Sequence, residues 1–94
     1  MVIRNFNSVA NQFVIDTKNA VYFQSYNSVV AKYDYRTKKV TLGKDWDYSN
    51  TTRRHLYQFL KYYTYCNVSS RKEVLKLIED KTIKLLKDKN IPMK

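Results

Sequence analysis

The spacing of apolar residues changes at the chain's only glycine, Gly43, and this change constrains the fold more than any other feature. Before it the pattern has the two-residue period of strands. In "NQFVIDT", Phe13 and Ile15 alternate with Val14 and Asp16; Thr17, Lys18 and Asn19 then break the pattern before the apolar run "AVYFQSY", as in a hairpin. Asn27 interrupts next. "SVVAKYDY" resumes with Val29, Ala31, Tyr33 and Tyr35 on one face, and the polar "RTKK" leads into "VTL", which ends at Gly43. Val, Tyr, Phe and Thr predominate here, residues suited to a pleated, half-buried surface. Four short strands within about 11–43 and tight connections predict an antiparallel meander.

After Gly43 the period becomes 3.6. In "TTRRHLYQFLKYYTY", Leu56, Phe59, Leu60 and Tyr63 recur at helical spacing while Arg53, Arg54, Gln58 and Lys61 fall mostly on other faces, which predicts an amphipathic helix over about 50–65. Ser49 or Asn50 is placed to cap its start, with Asp45 and Asp47 near its positive end. A second helix is predicted over about 70–89. Ser70 and Glu73 match a capping box there, and Val74, Leu75, Ile78, Thr82, Leu85 and Leu86 form a stripe before Asn90 and Pro92. The expected fold class is therefore α+β: a four-stranded antiparallel meander followed by two helices packed on one face (ββββαα), in a single domain over 1–94.

Charge sets the expected partners. Eighteen Lys and Arg against eight acids give +10; residues 1–48 hold seven bases and four acids (+3), and residues 49–94 hold eleven bases and four acids (+7). Such an excess speeds encounter with polyanions and supports phosphate contacts, so DNA, RNA or a nucleoprotein is the natural partner. No apolar run is long enough for a membrane span, and "MVIRNFNSVANQF" lacks the apolar core of a signal peptide, so no membrane association and a cytoplasmic location are expected. One cysteine, Cys66, and one histidine, His55, leave no Cys/His set with zinc spacing, and no metal or cofactor is expected.

The segment "KDWDYSNTTRRHLYQFL" gathers Asp45, Asp47 and His55, the only catalytic residue types near one another in the sequence. Two aspartates and one histidine at this spacing match no hydrolytic metal site. A structural role accounts for more of the segment: Trp46 plugs the corner between sheet and helix, Asp47 or Ser49 caps the helix, and Thr51 and Thr52 fill its first turn. There is no Gly-rich phosphate loop, no serine in an elbow context and no base placed beside Cys66, so the chain is not expected to be an enzyme. The many bases and nine tyrosines leave one catalytic alternative, a small metal-independent RNase working with Arg, Lys and Tyr.

The strings "YFQSYNSVVAKYD", "VTLGKDWDYSNTT" and "HLYQFL", over residues 22–60, resemble a family of small bacteriophage-encoded proteins of unassigned function, with the pattern "FQSY…A…D…TL…WDYS.TT….FL". The resemblance implies a phage origin and a compact domain, and it assigns no catalytic residue. Small phage domains without catalytic motifs commonly act by occupying a surface on a host target. The first expectation is thus a non-enzymatic inhibitor, anti-CRISPR-like, that binds a host-defence effector complex or its bound nucleic acid in the host cytoplasm. The alternative is a phage accessory protein that binds DNA or RNA directly. The candidate interface comprises Arg53, Arg54, Tyr57, Lys61, Tyr62, Arg71, Lys72, Lys76 and Lys84, the bases steering encounter and the tyrosines anchoring or stacking.

Overall fold

A computed structural model describes residues 2–6 and 10–93. The elements are β1 (Val2–Asn5), β2 (Gln12–Asp16), β3 (Ala20–Ser25), β4 (Ser28–Asp34), β5 (Val40–Leu42), α1 (Asn50–Tyr63), α2 (Arg71–Glu79) and β6 (Ile83–Leu85). They form a mixed α+β structure around one six-stranded sheet in the order β1-β2-β3-β4-β5-β6. The meander read from the alternating pattern is β2 to β5. Two strands flank it: β1 lies antiparallel to β2, and β6 lies parallel to β5.

The strand β6 corrects the expected second helix, which ends at Glu79 rather than near residue 89. Lys81 takes a left-handed backbone conformation (φ 67°) while its N–H donates to the Ile78 carbonyl at 3.1 Å, closing the last helical turn. Asp80 then accepts from the Thr82 amide at 2.9 Å, and the chain leaves extended. Thr82, Leu85 and Leu86 had helical spacing, but the open edge of β5 offers Ile83–Leu85 a ladder that a solvated helical turn lacks. The first helix also ends slightly short of expectation, at Tyr63, where the Thr64 hydroxyl and amide both donate to the Leu60 carbonyl.

A β-bulge between Phe23 and Gln24 corrects the faces of β4. Phe23 pairs with Ala31 and Gln24 with Val29, so Val30 is the additional residue. Val29 consequently packs with Ile15, Ala20, Tyr22 and Ile91 on one face, while Ala31 belongs to the core on the other. That larger core joins Val14, Val21, Phe23, Val40 and Leu42 from the sheet to Leu56, Phe59 and Leu60 of α1 and Val74 of α2, which places both helices on one face. The opposite face is covered by the C-terminal segment. The Ile91 amide donates to the Val29 carbonyl at 3.0 Å, and the Val29 amide donates to Asn90 Oδ1 at 2.8 Å. Gly43 sits beneath this segment, where a Cβ would meet the Lys89 carbonyl oxygen at 2.8 Å.

Candidate functional site

The turn-rich stretch 43–49 carries the chain from β5 into α1. Trp46 is buried in the helix-side core, as the corner-plug reading required. Ser49, not Asp47, caps α1: its hydroxyl accepts from the Thr52 amide at 3.1 Å. Asp47 instead joins the two helices. Its carboxylate pairs with Arg71 Nε at 2.9 Å, its carbonyl accepts from Arg53 at 3.1 Å, and the Arg71 guanidinium lies 6.0 Å from the centre of the Trp46 ring. Arg53 also donates to the Asn50 side chain. Tyr57 adjoins this cluster; burial pushes its hydroxyl pKa up, against the fields of Arg53 and Arg71. Three of the candidate interface residues, Arg53, Tyr57 and Arg71, are thus brought together, with the two arginines bound to structural partners.

The acid and imidazole types of the same segment diverge. His55 is buried against Phe6, with ring centres 6.1 Å apart, and its Nδ1 donates to the Thr51 carbonyl at 2.8 Å, fixing the proton on that nitrogen. Asp47 faces Arg71, and Asp45 lines a separate groove. Cys66 is buried, which pushes its thiol pKa up and away from a reactive thiolate, with a hydrogen bond to Thr64 opposing. Among the described residues no group of three or more His, Cys, Asp and Glu is placed to hold a metal ion, and no helix is long and apolar enough to cross a membrane.

The remaining candidates are spread over the helical layer and beyond it. Arg54 and Lys61 lie on the outer stripe of α1, opposite Leu56, Phe59 and Leu60, and both are exposed. Lys72 and Lys76 are exposed on α2. Tyr62 is 66% exposed at the end of α1, with Tyr65 beyond it at 56%. Lys84 is exposed but sits on β6, away from the helix on which the sequence placed it.

One feature was not among the candidate residues. A groove of about 680 Å³ opens where the β3–β4 turn meets the start of α1, lined among others by Ser25, Tyr26, Asp45, Tyr48, Ser49 and Thr52. Its floor is a hydroxyl chain in which Ser25 and Thr52 lie 2.9 Å apart and Ser49 donates to Thr52 at 3.1 Å. Tyr48, 75% exposed, stands at the rim. The signal in the sequence was the pair of strings "FQSYNS" and "DWDYSNTT", whose serines and threonines meet only when β3 packs beneath α1.

A family model described as a family of unknown function (DUF8033) matches residues 3–76. The chain belongs to this family. The match is wider than the 22–60 stretch that carried the resemblance, and it contains every candidate interface residue except Lys84. The DUF8033 match also contains nearly all of the groove at the start of α1, with Lys89 the one lining residue outside it. No curated protein and no solved structure matches the chain.

Proposed function

We propose that this DUF8033 member is a non-enzymatic bacteriophage protein that works in the host cytoplasm by binding and inhibiting a nucleoprotein effector of host defence, in the manner of an anti-CRISPR protein. The observation that supports it is the outer surface of the helical layer. Arg54 and Lys61 on α1 and Lys72 and Lys76 on α2 are exposed, and none is held in a salt bridge; the pair Arg71–Asp47 is the one salt bridge among the described residues. Charges left free in this way steer a basic protein toward a polyanionic assembly, and desolvated aromatic side chains then slow its departure.

A second reading, direct binding of single-stranded DNA or RNA, draws on Tyr62 and Tyr65, whose exposed rings flank the end of α1 next to Lys61. One experiment separates the two. Fluorescence anisotropy of labelled duplex DNA, single-stranded DNA and RNA is measured at low and physiological salt, beside size-exclusion chromatography with a purified CRISPR effector complex of the host. The inhibitor reading expects weak free nucleic-acid binding that vanishes with salt, and a stoichiometric effector complex that Arg54→Glu with Lys61→Glu abolishes. Submicromolar binding to one free nucleic acid at physiological salt, weakened by Tyr62→Ala, overturns it in favour of direct binding.

A further inference from the structure

The two ends of the sheet differ in what they offer a partner. β6 is an edge strand, bonded on one side to β5 in the register Val40–Ile83, Thr41–Lys84 and Leu42–Leu85. In a parallel ladder successive residues turn their main-chain groups to alternate sides. The Leu86 amide donates to the Leu42 carbonyl at 2.9 Å, so Lys84 and Leu86 address β5 and the main-chain groups of Ile83 and Leu85 turn away from it. Ile83 is buried, so the accessible pair at the edge is the N–H and C=O of Leu85, which is 43% exposed.

A groove of about 540 Å³ is lined by these β6 residues together with Lys39, Thr41, Ile78 and Lys81, among others. Three lysines line it and no acid does. The adjacent acid, Asp80, is engaged by Thr82, whose hydrogen bonds hold its carboxyl below its ordinary pKa. Lys39, Lys81 and Lys84 are all exposed and outside any salt bridge among the described residues. The groove also offers apolar surface: Leu85 is 43% exposed, and Ile78 is half-buried.

Unpaired strand groups are satisfied by an extended polypeptide, which a nucleic acid cannot imitate. Three unpaired lysines select for acidic side chains. A second copy of the same edge would set lysines against lysines, and like charges across paired strands repel. Edge lysines also discourage indiscriminate strand pairing, so an acidic chain is the one admitted. We propose that the β6 edge docks an extended acidic peptide of a partner protein. The peptide lies extended beside β6 and pairs with the main chain of Leu85, its carboxylates meet Lys39, Lys81 and Lys84, and an apolar side chain rests on Leu85 and Ile78. This surface is separate from the outer face of the helices, and all of its lining residues but Lys39, Thr41, Val40 and Ile78 lie in residues 81–85.

The test uses the full chain and a labelled peptide alternating Glu with Val and Thr. NMR titration is expected to shift the amide of Leu85, and anisotropy to show binding weakened about tenfold or more both by Lys39→Glu with Lys84→Glu and by methylating alternate peptide amides. Unchanged melting of the double variant shows that its fold is intact. Equal binding of the methylated peptide overturns the inference, since charge alone would then suffice. So does displacement of the peptide by single-stranded DNA that shifts the same amide, or a shift of that amide with protein concentration alone, which marks self-association. Arg54→Glu with Lys61→Glu is expected to leave peptide binding unchanged. Failure of the peptide with the effector complex intact therefore removes this inference only, and the converse removes only the reading of the helical face.

Discussion

On one face of the sheet α1 and α2 lay down a continuous apolar layer, in which Phe59 stacks against both Phe23 and Tyr63 with ring centres 5.7 and 5.3 Å away. On the other face a chain segment, residues 86–91, covers a smaller cluster with Ile91 and the half-buried Leu86. The helical face is held by interlocking side chains from several elements, so removing one leaves a hole that its neighbours cannot fill. The tail-covered face is held by a few hydrogen bonds and two apolar side chains, so the tail can lift as a unit. The first face should therefore set global stability, and the second should set a local opening.

The largest expected effect tests that division directly. Phe59→Ala is expected to cost about 3–5 kcal/mol, the range for truncating a buried aromatic. Ile91→Ala should cost less, about 1–2 kcal/mol, because the tail detaches instead of preserving a cavity. Urea unfolding with both variants measures this. Equal losses would show that the tail is part of the cooperative core and would erase the distinction between the faces.

Gly43→Ala sharpens it from the tail's side. The added Cβ would stand 2.8 Å from the Lys89 carbonyl oxygen, closer than carbon and oxygen tolerate, and both groups belong to the backbone. The tail must move, at a cost of about 1–3 kcal/mol typical of overpacking. Hydrogen exchange should show faster exchange at the amides of Lys44 and Ile91, which donate to Asp88 and Val29, with α1 amides unchanged. Protection lost throughout α1 would contradict a local opening.

The same contrast explains what the sequence disclosed. The meander was legible because β-branched and aromatic residues alternate over β2, β3 and β4, and α1 was legible because Leu56, Phe59 and Leu60 repeat at helical spacing. The bulge at Val30 was not, since one additional residue in an apolar run leaves the composition unaltered. β1 was missed because its four residues, Val2 to Asn5, are all exposed and carry no burial pattern. The end of α2 was hidden for another reason. The spacing of Thr82, Leu85 and Leu86 fits a helix, and only the distant edge of β5 and the left-handed Lys81 decide for a strand. Site residues divide the same way. Exposure of Arg54, Lys61, Lys72 and Lys76 followed from helical period alone, whereas the ties of Arg53 and Arg71 to Asp47 depend on how two helices meet.

A smaller effect, of opposite sign, probes the helical face at its weakest point. Gln12 is fully buried across from Ser25, and neither its Nε2 nor its Oε1 has a hydrogen-bond partner among the described residues. A buried amide without partners opposes folding, and a thioether of similar length fills the same space without that penalty. Gln12→Met is expected to stabilise the protein by about 1 kcal/mol in urea unfolding. A loss of stability would mean that the amide is hydrogen-bonded in solution and that this corner of the helical face is polar by construction.

The smallest effect separates the faces by pH. Ser70 caps α2, its hydroxyl accepting from the Glu73 amide at 3.3 Å, and Glu73 in the first turn reaches back: its Oε1 accepts from the Ser69 amide at 3.1 Å and from the Ser69 and Ser70 hydroxyls at 3.2 and 3.1 Å. These bonds hold its carboxyl below its ordinary pKa, the Ser69 amide contributing most. Because the folded value is lowered, the folded state binds fewer protons between that value and the unfolded one of about 4.3. The contribution is therefore present above about pH 4.3 and is lost as pH falls through the folded value. The tail is fastened differently: its main-chain bonds run from Lys44 to Asp88, Leu86 to Leu42 and Ile91 to Val29, with the Asn90 side chain on Val29, and none of them uses an ionisable side chain. Lowering the pH from 6 to 3 should then increase opening at the start of α2, read as lost exchange protection after correction for intrinsic rates, while Ile91 and Leu86 keep theirs. Glu73→Gln should flatten that pH dependence, since glutamine keeps an acceptor without a charge to lose. Equal acid loosening of α2 and the tail would mean that the two faces open together.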